Sequence, residues 1–190
     1  GITFGTLAGM MAVDAALARR LRARSRALRV SSSSLCHLAW AQVVGRVSGR
    51  SDVVFGTVLF GRMQGVSGSD RVPGLFINTL PLRIRLEGAG VEAGVRQTHL
   101  ALAELLRHEH APLNLAQRCS ALPASVPLFS ALLNYRHSAA AAAADPLAEW
   151  QGIEVLGGGE RTNYPLTLSV DDLGEGFGLT AQVQSPLDPE

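Results

Sequence analysis

No lysine occurs in the 190 residues; all 17 basic side chains are arginine, against 16 acidic ones. That absence excludes a Schiff-base lysine and a P-loop lysine. Neither sign is in excess, and a formal charge of +1 gives no global field for nucleic acid. Charged residues are scarce at 17% beside 47% hydrophobic, which excludes an intrinsically disordered chain and a charged coiled coil. The two cysteines, Cys36 and Cys119, sit in apolar surroundings without a CxxC spacing. They read as buried free thiols of an intracellular protein, not as a disulfide framework. No stretch reaches about 18 uninterrupted apolar residues, so no membrane span is expected. Residues 1–11 lack the basic start and long apolar run of a signal peptide. The expectation is a soluble, cytoplasmic chain, beginning in loop-like sequence and therefore a fragment. Its length suits one domain, or half of a larger one.

Several catalytic signatures are also missing. There is no GxGxxG after a strand, no GxSxG, no HExxH and no pair of adjacent histidines. His108 and His110 are two apart, which places them on different faces of a helix, so no metal site is predicted.

What is present reads as alternating structure. Asp14 caps a helix running to Val30, with Leu17, Leu21 and Leu28 on one face. Ser31 to Ser34 cap a second helix whose core face is predicted as Leu35, Leu38, Ala39, Val43 and Val47, stopped by Gly49. Val53 to Phe60 is a nearly continuous apolar run, as in a strand covered on both faces. Met63 to Val72 is a Gly/Ser loop. Beyond it, Phe76, Asn78, Leu80, Leu82, Ile84 and Leu86 share one parity and Arg83 and Arg85 the other, which predicts a half-buried strand. Pro81 places that strand at an edge or a bulge. A third helix spans Val91 to Arg107, with Val91, Val95, Leu102 and Leu105 toward the core. A short fourth helix follows Pro112. Phe129 to His137 is a strand, and the alanines Ala139 to Ala144 link it to Trp150 and to Ile153, Glu154 and Val155. Leu166, Leu168 and Val170, then Phe177, Leu179, Ala181 and Val183 across Gly174-Glu175-Gly176, make a hairpin. The order predicts an α/β (α+β) fold, a mixed sheet flanked by helices.

Two charged features bear on function. Arg19, Arg22, Arg26 and Arg29 recur at spacings of three and four and form one basic stripe. It is either a solvated face or a docking surface for an acidic partner. Asp171 and Asp172, adjacent at a strand end, read as a solvated turn.

The run Pro73-Gly74-Leu75-Phe76-Ile77-Asn78-Thr79-Leu80-Pro81-Leu82-Arg83 closely resembles the Gly-x-Phe-(Val/Ile)-Asn-Thr-x-x-x-Arg motif of condensation domains in nonribosomal peptide synthetases. Val53 to Arg62 resembles the strand that precedes that motif, and Ser34 to Gly49, with Trp40, the helix before it. His108-Glu109-His110-Ala111-Pro112-Leu113 matches the family's His-Gln-Asp-Tyr-Pro-Phe segment at its His and Pro. Pro127-Leu128-Phe129 with Leu133-Asn134-Tyr135, and Asn163-Tyr164-Pro165-Leu166, match in family order. The family's His-His-x-x-x-Asp-Gly sequence is absent.

The resemblance implies one lobe of a two-lobed, chloramphenicol-acetyltransferase-like fold. Residues 12–190 would be the C-terminal lobe, lacking its final helix, and residues 1–11 a linker from the N-terminal lobe. The implied reaction joins acyl and aminoacyl thioesters held on phosphopantetheine arms of carrier proteins, with the N-terminal lobe, those carriers and a neighbouring adenylation domain as partners. No cofactor, nucleic acid or membrane is implied, and no catalytic residue is assigned to this chain. Asn78 would either line the substrate tunnel or satisfy backbone groups. Arg62 would pair with a carboxylate across the lobes or form a strand-end salt bridge. His108 would stand by the tunnel or be a helix-end histidine. The other class of reading is a non-catalytic module that docks carrier proteins.

Overall fold

Local rules set the helix ends. Asp14 Oδ1 accepts the backbone N–H groups of Ala16 and Leu17 at 2.9 and 3.0 Å, opening the first helix as a capping carboxylate should. Ser31 caps the second by accepting from the Ser34 N–H, and Gly49 ends it in the left-handed conformation with φ 66°. The computed structural model describes residues 6–60, 75–88, 90–137 and 162–184. These form β1 (Thr6–Ala12), α1 (Ala15–Leu28), α2 (Ser32–Ser48), β2 (Asp52–Leu59), β3 (Asn78–Arg85), α3 (Val91–Leu106), α4 (Leu113–Cys119), β4 (Ala131–His137), β5 (Leu166–Asp172) and β6 (Phe177–Gln184). The strand order is β1-β6-β5-β4-β2-β3 in a mixed sheet, as expected. Arg62, Met63 to Val72, Ala139 to Ala144, Trp150 and Ile153 to Val155 lie outside the described residues.

The chain divides into two compact units. One comprises Leu21–Leu133. Its central strand is β2, antiparallel to β3 from Asp52↔Arg85 to Leu59↔Asn78 and parallel to β4 at Gly56↔Leu132 and Thr57↔Leu133. Val53, Phe55, Thr57 and Leu59 are buried on one parity and Gly56 on the other, so both faces are covered. A Cβ at Gly56 would run into the Phe129 ring and come within 2.8 Å of Leu132 Cδ1. On β3, Leu80, Leu82 and Ile84 are buried and Arg83 and Arg85 exposed. Pro81 sits opposite Gly56 in the last strand of the order, the edge that its missing N–H calls for.

Two core assignments need correction. On α2 the buried line is Ser34, His37, Leu38, Ala41 and Gly45, with Trp40 beside it, whereas Val43 is 46% and Val47 77% exposed. On α3, Val95, Thr98 and Leu102 are buried and Val91 is exposed. Both faces carry polar side chains whose hydrogen bonds are met inside the helix or by a neighbour, which ranking by hydrophobicity passes over. Thr98 Oγ1, for instance, donates to the Gly94 carbonyl at 2.8 Å. Cys36 is half-buried and Cys119 exposed, and neither is in a disulfide, so the expectation of two buried thiols is corrected for Cys119.

The other unit comprises Gly1–Arg20 with Asn134–Glu190. β5 and β6 form the expected hairpin, pairing Leu166 with Val183, Leu168 with Ala181 and Val170 with Leu179. β1 runs antiparallel to β6 from Thr6↔Gln184 to Ala12↔Gly178. Residues 6–11 are therefore strand, not the loop-like sequence expected. The reason is non-local: Thr6–Ala12 has no alternation of its own and is held by the hydrogen-bonding edge of β6. Among the described residues, no helix is long and apolar enough to cross a membrane.

Candidate functional site

Register places Asn78 opposite Leu59, at the start of β3. Its Nδ2 donates to the Glu109 carbonyl at 2.9 Å and to the Ala111 carbonyl at 2.7 Å, while Oδ1 accepts the Thr79 N–H at 2.9 Å. Both amide hydrogens and the oxygen are thus spent on backbone groups. The receiving turn continues α3 without a break: His108 N–H donates to Leu105, Glu109 N–H to Leu106 and Ala111 N–H to the His108 carbonyl. Asn78 ties this turn to the sheet and so sets where His108 and Glu109 stand. His108 is exposed, with Nε2 3.6 Å from Glu104 Oε1. Glu109 is 1% exposed, with Oε1 3.7 Å from His110 Nε2. Asn78 and His108 are therefore brought to one turn. Among the described residues no cluster of His, Cys, Asp and Glu could hold a metal.

Sequence reasoning missed a polar core under α2. His37 Nδ1 is 2.7 Å from the Ser33 carbonyl, so this nitrogen carries the proton, and Nε2 accepts from the Thr57 hydroxyl at 2.8 Å. Burial lowers the imidazole pKa from 6.5 to about 4, against the raising effect of the Ser33 carbonyl, and keeps the ring neutral. Beside it Ser34 Oγ is 3.1 Å from His99 Nδ1 and 2.8 Å from Ser31 Oγ. The available signal was the helical spacing of Ser34, His37, Leu38 and Ala41.

The second omission is a charged cluster on β4 and β5. Asp172 is 4% exposed and accepts the Tyr135 hydroxyl at 2.5 Å and the Gly174 N–H at 3.1 Å; His137 Nδ1 lies 3.5 Å away. Arg136 grips Asp171 with two bonds of 2.7 and 3.0 Å. The pair is built into the sheet, and the solvated-turn reading is corrected. Its partners lie 35 and 37 residues upstream, beyond the reach of local pattern.

Arg19 and Arg26 are exposed on α1, and Arg22 is half-buried beside the buried line of Ala18 and Ser25. Arg29 falls outside the helix. It takes φ 56°, with its N–H on the Arg26 carbonyl (3.1 Å) and that of Val30 on Ser25 (3.0 Å). The stripe is thus three residues of helix and one of cap. At the end of β3, Arg83 holds Asp52 with bonds of 2.9 and 2.6 Å, and this hydrogen bonding keeps the Asp52 carboxyl below its ordinary range.

Known proteins resemble this chain in sequence and in fold. The family model for the condensation domain matches residues 6–186. Malpinin synthetase of Mortierella alpina is 57% identical over 172 residues, which are 89% of this chain and 2% of that protein. The nonribosomal peptide synthetase fso1 of Omphalotus olearius is 30% identical over 148 residues, 77% of this chain and 3% of that protein. The condensation domain from the monacolin K polyketide synthase MokA shares the fold with a TM-score of 0.76 at 23% identity, covering 95% of this chain and 42% of that one. VibH, a nonribosomal peptide synthetase condensation enzyme, shares it at 0.72 and 14% identity, with coverage of 95% and 42%. The chain spans a few per cent of the synthetases it matches and under half of the solved condensation domains. A match over nearly every residue, with relatives among peptide synthetases, makes this chain a member of the condensation-domain family.

Proposed function

We propose that this chain is the C-terminal lobe of a condensation domain and forms one wall of the tunnel in which an acceptor aminoacyl amine attacks a donor acyl thioester. The observation that carries the reading is the family match across residues 6–186 joined to coverage of 42% of the solved condensation domains. Both substrates would arrive on phosphopantetheine arms of carrier proteins, with the N-terminal lobe and an adenylation domain as neighbours. The attack needs a group that accepts the amine proton and donors for the oxyanion. The first would come from the His-His-x-x-x-Asp-Gly sequence, which this chain does not contain. Its own residues would shape the wall: Asn78 by fixing the turn of His108 and Glu109, and Arg62 by pairing with a carboxylate across the lobes.

Incubating the purified chain with loaded carrier proteins is the direct test. No amide product is expected from the chain alone, and product is expected once a polypeptide bearing the His-His-x-x-x-Asp-Gly lobe is added. Product from the chain alone would overturn the division of labour.

A second reading, a non-catalytic module that docks carrier proteins, is favoured by one feature: α1 contains five arginines and no acid. On that reading Arg19, Arg22, Arg26 and Arg29 meet an acidic carrier. Binding that weakens with salt supports it, and binding unchanged across a salt series returns the stripe to a solvated face.

A further inference from the structure

Helices α2 and α3 and the end of β3 border an open cavity of about 640 Å³. Three arginines from three places in the chain line it: Arg46 near the end of α2, Arg50 just past the Gly49 cap, and Arg85 at the end of β3. Arg46 and Arg50 have no side-chain partner among the described residues. Arg85 has one acidic neighbour, Asp52 at 3.7 Å, and that carboxylate is already held by two shorter bonds from Arg83. One acid, Glu87, lines the cavity, and it is engaged by the Ser51 hydroxyl. Three cations therefore line this open cavity with one carboxylate, Glu87.

Like charges gathered this way repel one another, and a cleft with protein walls focuses their field outward. A guanidinium matches phosphate with two parallel N–H donors, which a point charge does not. The volume falls in the range of small-ligand sites. The rim adds donors: the first turn of α3 opens on the same space, and Gly90 gives its N–H groups no side-chain cap.

We propose that this cavity binds a small phosphorylated molecule, held by its phosphate through Arg46, Arg50 and Arg85. An acidic peptide would suit the linear arginines of α1 better than a concave group of three. The site is separate from Asn78 and its turn, and the proposal stands whether or not the tunnel-wall reading holds.

The test is calorimetric titration of the full chain with inorganic pyrophosphate, at ionic strength held constant with sodium chloride. One saturable site per chain is expected. Arg46→Ala with Arg50→Ala should weaken it tenfold or more, since each removes a charge-assisted bond. Arg20→Ala with Arg24→Ala, on exposed α1, should leave the affinity unchanged. Circular-dichroism melts confirm that each pair stays folded. No saturable binding, or equal weakening by both pairs, would overturn the proposal, because general screening rather than this cavity would then account for any heat.

Discussion

At position 29 the chain turns with φ 56°, a conformation that costs a residue with a Cβ about 1 kcal/mol or more. The bonds from Arg29 and Val30 back to Arg26 and Ser25 are those that usually surround a glycine at a helix end. Arg29→Gly should therefore stabilise the chain by about 0.5–1 kcal/mol, the relief of strain exceeding the added entropy of the unfolded state. A thermal melt reads this as a rise of about 2 °C for a chain of this size, and a fall would show that the Arg29 side chain contributes more than its backbone costs. Asn78 offers a sharper contrast. Asn78→Ala strands two carbonyls and should cost about 1–3 kcal/mol in denaturant titrations. Asn78→Asp should cost at least as much at pH 7, because a carboxylate has no proton to give and faces the Glu109 and Ala111 oxygens. If the aspartate were tolerated, the two amide bonds would not be what holds the turn. Asn78 was legible in sequence as an inward-facing amide, since parity alone fixes that. Its partners were not, because a turn 31 residues away carries no local mark.

Among the elements, β2 shows how a motif residue follows from packing. Gly56 lies between Phe129 and Leu132 where no Cβ fits, so Gly56→Ala should destabilise by about 1–3 kcal/mol through overpacking, read as a lower denaturation midpoint. Trimming the ring with Phe129→Leu in the same chain should recover part of the loss; no recovery would place the strain elsewhere. The apolar run of β2 and the alternation of β3 were readable because each strand's burial depends on its own side chains. Helix α2 was placed correctly and turned wrongly. Ser34 and His37 are buried because His99, Ser33 and Thr57 meet them, and those partners come from other turns and other elements. β1 was missed altogether, its strand character being supplied by β6.

For the whole molecule, His37 couples folding to acidity. Its folded pKa, about 4, lies below the 6.5 of an exposed imidazole, so the unfolded chain takes up a proton that the folded chain refuses. The contribution of the neutral ring is fully present above about pH 6.5 and declines as pH falls toward 4, by about 3 kcal/mol at most. His37→Gln should flatten the slope of unfolding free energy between pH 7 and 5 relative to the parent chain. Identical slopes would show that the ring titrates as freely folded as unfolded. The mixed sheet and its helices were readable as an architecture because, β1 apart, the type of each element is set by its own residues. The charged cluster of Tyr135, Arg136, Asp171 and Asp172 was not, because it exists only once β4 and β5 are assembled.

The pairing of Thr6 with Gln184 has a consequence for synthesis on the ribosome. β1 leaves the exit tunnel long before its partner β6, and at about 5–20 residues per second the wait is roughly 10–35 s. Throughout it, a strand with two methionines and no charge has its hydrogen-bonding edges open. Nascent chains stalled before residue 177 should therefore recruit holding chaperones at residues 6–12, and chains elongated well past residue 184 should not.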